Sequence, residues 1–143
     1  MAEFAPPVRF LAVAPEFAVC DVVRAAEYYR DVLGFEIEGF LQDPPVFALL
    51  SRDEVELHLR SGGNRSVEAG ARRGDPDAYI WVEDVDVLAA ELQERGARLL
   101  EGPVDRVYGM REIRVCDLDG FILVFGSRRE LPPPERGAGT SGE

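Results

Sequence analysis

The sequence contains few histidines, cysteines and tryptophans. Its 143 residues include one histidine, one tryptophan and two cysteines, and it has neither a Gly-rich phosphate loop nor a Ser–His–Asp set. Cys20 and Cys116 stand far apart, in no metal-ligand spacing, and neither has a basic neighbour in sequence that would activate a thiol. One pair of cysteines is too few for a disulfide framework, so the composition favours a reducing cytoplasm.

Long apolar runs and an excess of positive charge are missing as well. No apolar stretch approaches the ~20 residues of a membrane span, and the first residues lack the basic and apolar regions of a signal peptide. The 16 basic residues are outnumbered by 27 acidic ones, which gives a net charge of −11. We therefore predict a soluble cytoplasmic protein with no nucleic-acid or membrane partner, and the charge is compatible with a cationic ligand.

What the chain does contain is an internal repeat. The stretch Val19-Cys20-Asp21-Val22, followed by Ala25-Ala26-Glu27, has a counterpart in Val82-Glu83-Asp84-Val85, followed by Ala89-Ala90-Glu91. The two stretches are 63 residues apart (82 − 19). A fixed internal offset is typical of duplicated supersecondary units, so we expect two copies of one module.

Each copy has the same order of predicted elements. An alternating strand is followed by a helix that begins after an aspartate cap, Asp21 or Asp84, and ends at a left-handed glycine, Gly34 or Gly96. Three strands then complete a βαβββ module. The predicted strands are 10–19, 35–39, 46–51 and 54–60 in the first copy and 78–82, 98–100, 111–116 and 121–125 in the second, and the predicted helices are 22–33 and 85–95. The sequence thus predicts an α+β fold with an N-terminal arm at 1–9, a first module at 10–60, a linker at 61–76, a second module at 77–127 and a disordered tail at 128–143.

Two motifs carry a resemblance to a known superfamily. Residues 21–35 resemble the D-x-x-x-A-x-x-F/Y-Y-x-x-x-L-G-F signature of the vicinal oxygen chelate superfamily, which includes glyoxalases, bleomycin resistance proteins and dioxygenases. Residues 108–112, Tyr-Gly-Met-Arg-Glu, with Asp-Leu-Asp-Gly at 117–120, resemble W-G-x-R-x followed by D-P-D-G-N, and the W-G-M-R-E form is typical of the bleomycin-resistance branch. Tyr108 replaces the usual Trp, Leu118 the usual Pro and Phe121 the usual Asn. The resemblance spans about residues 10 to 127.

The resemblance implies two tandem modules whose curved mixed sheet forms a cleft, in a homodimer. In the metal-dependent enzymes of the superfamily each of four strands supplies one ligand, and the matching positions here are Ala14, Glu56, Asp77 and Val124. Ala14 and Val124 have no donor atom, so we predict that the protein uses no metal and no cofactor. His58 lies on the same strand face as Glu56, and we interpret it as a hydrogen-bonded wall residue in preference to a substitute ligand.

Strand alternation then indicates which side chains line the cleft. Carboxylates beside aromatic rings offer charge complementarity and stacking to a large, flat cation. The predicted ligand-binding residues are Glu16, Phe47, Glu56, His58, Asp77, Tyr79, Trp81, Tyr108, Glu112 and Arg114. Each of these carboxylates is alternatively a solvated surface or dimer-interface group. Arg111, in a loop before a strand, is either a binding residue or a member of a structural ion pair.

The resulting hypothesis is a metal-free protein that gives antibiotic resistance by sequestering a cationic aromatic drug, such as a bleomycin-like glycopeptide. The resemblance implies that the drug binds in clefts between the subunits of a homodimer. The alternative is a metal-dependent glyoxalase- or dioxygenase-type lyase or isomerase that uses Glu56, His58 and Asp77. A third possibility is a small-ligand sensor or carrier unrelated to antibiotics, because one fold serves many functions.

Overall fold

The duplicated motifs fold into two copies of the same module. The computed structural model describes residues 5–129, without the side chains of residues 71–73, and the chain divides into two units between Arg65 and Ser66. The first unit contains β1 (Glu16–Val19), α1 (Val22–Asp31), β2 (Glu36–Leu41), β3 (Phe47–Arg52) and β4 (Val55–Ser61). The second contains α2 (Val67–Arg73), β5 (Ala78–Trp81), α3 (Val85–Glu94), β6 (Arg98–Asp105), β7 (Met110–Cys116) and β8 (Ile122–Arg128).

The two sheets have the same topology. The strand order is β1-β4-β3-β2 in the first unit and β5-β8-β7-β6 in the second. In each sheet the first strand pairs in parallel with the last, and the remaining pairs are antiparallel. In each unit the helix carries the chain from the first strand, at one edge of the sheet, to the second strand, at the opposite edge. Two antiparallel pairings then bring the last strand back beside the first, parallel to it. The predicted α+β fold with two βαβββ modules is therefore confirmed.

The helix boundaries follow the predicted capping residues. The side chain of Asp21 accepts a hydrogen bond of 3.1 Å from the backbone N–H of Arg24 at the start of α1. Asp84 accepts bonds of 3.1 and 3.2 Å from two backbone N–H groups of the first turn of α3. These bonds satisfy donors that have no partner inside the helix. Gly34 and Gly96 have φ values of 76° and 93°, as a left-handed helix end requires.

Each sheet is covered on one face by the helix of its own module. In the first unit, α1 packs on β2, β3 and β4, and the buried alternating strand residues include Phe17, Val19, Leu50, Leu57 and Leu59. In the second unit, α3 packs on β6, β7 and β8, and the corresponding buried residues include Ile80, Ile113, Val115, Leu123 and Phe125. Residues that alternate with these point to the other side of the sheet. We call that side, turned away from α1 or α3, the open face of the unit.

The structure corrects several predicted boundaries. β1 begins at Glu16 rather than at residue 10, because Pro15 has no N–H to donate to the β4 ladder. Before it, Val8, Phe10, Leu11 and Val13 are 84% to 93% exposed. At the other end, β8 continues to residue 128, where the sequence predicted a tail. Residues 1–4 of the predicted arm and 130–143 of the predicted tail lie outside the described residues.

The predicted linker at 61–76 contains helix α2, which packs on the second unit. The Ser66 hydroxyl caps it by accepting a 3.1 Å bond from the N–H of Ala69. Gly70 faces the turn at Gly120 so closely that a Cβ on Gly70 would lie 1.8 Å from the Gly120 carbonyl oxygen. The missed helix has only seven residues, one of them glycine, so periodicity gave no signal for it. Within residues 5–129 the structure contains no helix long and apolar enough to span a membrane.

Candidate functional site

The open face of the second unit carries most of the predicted binding residues. Tyr79 and Trp81 on β5 point to it, as do Glu112 and Arg114 on β7, because all four alternate with buried residues that face α3. Strand β8 runs between β5 and β7. On β8, Gly126 is the cross-strand partner of both Trp81 and Glu112. The five residues therefore form one continuous patch on three neighbouring strands.

Glu112 is the centre of a hydrogen-bond network on this face. The hydroxyls of Tyr79 and Tyr108 both donate to its Oε2, each at 2.8 Å. Its other oxygen, Oε1, accepts a 3.0 Å bond from Nε of Arg106, which also donates to Glu101 at 2.6 Å through Nη2. The Glu112 carboxylate is only 1% exposed. Its buried charge is therefore compensated by one guanidinium and two phenols of its own unit.

The network also shifts the pKa values of the carboxylate and the two phenols that form it. Burial pushes the pKa of Glu112 upward, but the hydrogen bonds from Tyr79, Tyr108 and Arg106 outweigh burial and hold this pKa below the ordinary carboxyl value of 4.5. Burial, followed by the bond to Glu112, raises the pKa of the Tyr79 phenol. The bond to Glu112, followed by burial, raises the pKa of Tyr108 above the ordinary phenol value of 10.0. At neutral pH the phenols therefore remain donors and the carboxylate remains an acceptor.

Gly126 leaves the space that Tyr79 needs to reach Glu112. A Cβ built on Gly126 would lie 2.1 Å from the hydroxyl oxygen of Tyr79. The phenol thus passes directly over the backbone of β8, at a point where any side chain would block it. A glycine inside a strand often marks such a close approach.

The aromatic rings of this unit are partly open to solvent. The rings of Tyr79 and Trp81 have centroids 4.8 Å apart and planes inclined by 54°. Trp81 is 72% exposed and Tyr108 is 63% exposed. We call Tyr79, Trp81 and Tyr108 the aromatic platform. Exposed indole and phenol faces are well suited to contact a flat ring of a ligand.

Polar contacts border the platform on the side of α2. Nη1 of Arg114 donates a 2.6 Å bond to the carbonyl of Gly74, the residue that ends α2, and Nε lies 3.4 Å from Oε1 of Glu101. The carboxylate of Asp77 accepts a 2.8 Å bond from the backbone N–H of Ile122. Arg114 thus connects the sheet to the segment predicted as a linker, and Asp77 holds the start of β5 against β8.

The open face of the first unit brings together the other four predicted residues. Glu16 on β1, Phe47 on β3 and both Glu56 and His58 on β4 point to this side. The rings of Phe47 and His58 have centroids 5.3 Å apart. Glu16 forms an exposed ion pair of 3.1 Å with Arg60. Glu56 is exposed, and this face therefore presents carboxylates to solvent.

The structure changes the expected role of some residues and adds others. Glu112, predicted to neutralise a cationic ligand, is buried and already bonded to Arg106. Sequence reasoning missed Arg106, which lies in a loop outside any strand pattern. It also missed Gly126, because the predicted strand ended at residue 125, whereas β8 continues to residue 128. Arg111 forms the structural ion pair that was one of its two interpretations, with Asp86 at 2.9 Å and with Asp105 at 3.0 Å.

The donor atoms do not match the metal site that the resemblance implies for the enzymes of the superfamily. Ala14 and Val124, which the resemblance matches to two of the four ligand positions, have no donor atom. Asp77, at a third position, accepts a backbone hydrogen bond. In the part of the chain that the structure describes, no group of three or more His, Cys, Asp or Glu side chains could hold a metal ion.

The chain matches a family model over most of its length. Residues 11–125 match the model of the Glyoxalase/Bleomycin resistance protein/Dioxygenase superfamily. A search of curated proteins found no match.

Solved structures include several similar folds. The bleomycin-binding protein from bleomycin-producing Streptomyces verticillus, complexed with copper(II)-bleomycin, has a TM-score of 0.66 and 25% identity, over 87% of this chain and 100% of that one. TioX from Micromonospora sp. ML1 has a TM-score of 0.64 and 24% identity, over 79% of this chain and 94% of that one. TnmS3, an antibiotic binding protein from Streptomyces sp. CB03234, has a TM-score of 0.60 and 20% identity, over 85% and 99% of the two chains. The last two, under 25% identical, are evidence of the fold alone.

Proposed function

The chain belongs to the glyoxalase/bleomycin resistance protein/dioxygenase superfamily, and from that membership we propose that it sequesters a cationic aromatic drug of the bleomycin type without converting it. The observation that carries this proposal is the aromatic platform, in which Trp81 is 72% exposed beside the ring of Tyr79. A flat ring of a ligand would cover the apolar surface that Trp81 leaves in water. Stacking on the platform therefore favours binding of the ligand, and it requires no reactive group in the protein.

The charge of the protein supports a ligand that carries positive charge. The net charge is −11, and the open face of the first unit presents Glu56 and Glu16 to solvent, the latter paired with Arg60. Such a surface attracts cations and raises their rate of association. Because Glu112 is neutralised within its own network, we assign ring stacking to the platform, and we propose that the exposed carboxylates of the first unit contribute to the attraction of the cation.

Bleomycin is the first ligand to test because of the relative in Streptomyces verticillus. That protein is complexed with copper(II)-bleomycin and shares 25% of its residues with this chain. We further propose that the protein acts as a homodimer in the cytoplasm, where Cys20 and Cys116 stay reduced. The exposed apolar side chains at residues 8–13 support a self-association surface.

A mass balance of the drug separates sequestration from turnover. The protein is mixed with bleomycin at several ratios, free drug is measured after ultrafiltration, and the protein is then denatured to release what it holds. Sequestration predicts that free drug falls in proportion to protein and that denaturation returns unaltered bleomycin. Disappearance of more moles of drug than the protein present could bind, or the appearance of a modified product, would contradict the proposal and favour an enzyme. Drug that stays entirely free would remove bleomycin as the ligand.

A further inference from the structure

We propose that Glu112 is the positioning residue of the aromatic platform and that Gly126 is the residue that makes this positioning possible. The inference rests on the proposed function, because it concerns how the same face is prepared for a planar ligand. Glu112 would not touch the ligand. It would act through Tyr79 and Tyr108, whose hydroxyls it holds, and through Tyr79 on the indole of Trp81.

Three side chains from two separate parts of the second unit converge on the Glu112 carboxylate. Tyr79 comes from β5, Tyr108 from the loop between β6 and β7, and Arg106 from the same loop. A carboxylate can accept about four hydrogen bonds, so one group can serve all three donors at once. Since Glu112 is 1% exposed, water competes little for these bonds. The carboxylate therefore ties the loop that carries Tyr108 to the strand that carries Tyr79.

The bond between Tyr79 and Glu112 depends on the absence of a side chain on β8. The Tyr79 hydroxyl oxygen lies 2.1 Å from where a Cβ of Gly126 would be, so even a methyl group would displace the phenol. Gly126 has no positive φ that would explain the glycine by backbone conformation. The close approach of Tyr79 is the structural requirement for glycine at this position.

The position of Tyr79 also affects Trp81, the exposed part of the platform. Trp81 is 72% exposed, and the ring of Tyr79 is its aromatic neighbour at 4.8 Å. If Tyr79 is held in one rotamer, the indole has a fixed surface to rest on before a ligand arrives. Ordering two such side chains only when the ligand binds would weaken affinity by about tenfold.

The decisive variants are Glu112→Gln, which keeps the shape of the side chain, and Gly126→Ala, which leaves Glu112 intact and displaces Tyr79. An amide has one acceptor oxygen, so it cannot serve two phenols and a guanidinium together. The matched controls are Glu94→Gln, an exposed residue on α3, and Gly39→Ala, which has nothing within 4 Å of its Cβ position. Tyr79→Phe is a third test variant, since it removes only the hydroxyl, and it serves if the first two variants fold poorly.

Two measurements need no ligand. Time-resolved fluorescence anisotropy of Trp81, the single tryptophan, reports how freely the indole moves. Absorbance of the four tyrosines during alkaline titration reports the bonded phenols. We expect both test variants to increase indole motion, and we expect Glu112→Gln to shift part of the phenol titration to lower pH. Unchanged anisotropy and titration in these variants would overturn the positioning role.

The third measurement is the affinity for bleomycin, determined by calorimetric titration, which also serves for a variant without tryptophan. Glu112→Gln and Gly126→Ala should weaken binding about tenfold, whereas the two controls should bind like the parent protein. If the test variants bind as tightly as the parent while Trp81→Ala does not bind, the proposed function stands and the positioning role is wrong. If the parent protein does not bind bleomycin, that ligand is wrong, and anisotropy and phenol titration decide the positioning role.

Discussion

The hydroxyl of Tyr79 on β5 donates a 2.8 Å hydrogen bond to Oε2 of Glu112 on β7, across the strand β8 that separates them. Side chains on non-adjacent strands seldom bond to each other, because each strand of a sheet adds almost 5 Å. The bond is possible here because β8 has a glycine at the crossing point, Gly126. The open face of the second unit is thus organised by a buried polar contact rather than by apolar packing alone.

Glu112 should make the stability of the protein depend on pH. Its pKa is held below the ordinary value of 4.5 in the folded protein, so the unfolded chain takes up its proton first as pH falls. The stabilising effect of Glu112 is therefore fully present above about pH 4.5 and is lost as pH falls through the lower, folded pKa. Urea unfolding of the parent protein and Glu112→Gln between neutral and acidic pH tests this. The variant should be less stable by about 1–3 kcal/mol at neutral pH, and the difference should shrink in acid. A constant difference across this range would contradict the assignment.

Glu56 should contribute to binding through charge. It is exposed on the open face of the first unit, so replacing it by glutamine should weaken binding of bleomycin by about threefold at low salt. Because salt screens exposed charges, this difference should disappear at about 1 M salt. The control is Glu27→Gln, an exposed residue on α1. Equal loss of affinity in both variants would indicate a long-range effect of net charge and no local role for Glu56.

Gly70 should resist a substitution that usually stabilises helices. Alanine is favoured over glycine inside a helix by about 1 kcal/mol, but a Cβ on Gly70 would lie 1.8 Å from the carbonyl oxygen of Gly120. We expect Gly70→Ala to destabilise the protein by about 1–3 kcal/mol, as overpacking does, in thermal or urea unfolding. Gly39→Ala, whose Cβ position is open, should change stability little. A stabilised Gly70→Ala variant would mean that α2 does not pack on the turn at Gly120.

The exposed apolar segment before β1 should hold the proposed homodimer together. Phe10 is 93% exposed and Leu11 is 85% exposed, and burying them in a partner would remove their apolar surface from water. Sedimentation velocity of the double variant Phe10→Ser, Leu11→Ser should show a shift toward monomer. Val87→Ser, at a residue that is 65% exposed on α3, is the control. A dimer that persists in the double variant at low concentration would exclude this segment as the interface.

The sequence predicted the modules well because their signals are local or periodic. The caps at Asp21 and Asp84 and the left-handed Gly34 and Gly96 follow from short-range geometry. Strand alternation likewise placed Glu112 on the side of the sheet opposite Ile113, where the structure has it. These features need no knowledge of which strands are neighbours.

The parts that the sequence did not predict depend on neighbours distant in the chain. Alternation indicated the face on which Glu112 lies, but not that Arg106 and two phenols would bond to its carboxylate. The role of Gly126 becomes visible only when β8 is known to run between β5 and β7. Pro15 was a local signal that was overlooked, since its missing N–H limits where β1 begins.

Calorimetric titration of EDTA-treated protein with metal-free and copper-loaded bleomycin tests the central claim most directly. We expect saturable binding of about one drug molecule per chain, and Trp81→Ala should lose at least about tenfold in affinity because it removes the exposed centre of the platform. Trp81→Phe, which keeps an aromatic ring, should retain most of the binding. No heat and no quenching of Trp81 with either form of the drug would contradict sequestration of bleomycin. Tight binding that is unaffected by Trp81→Ala would contradict the placement of the site.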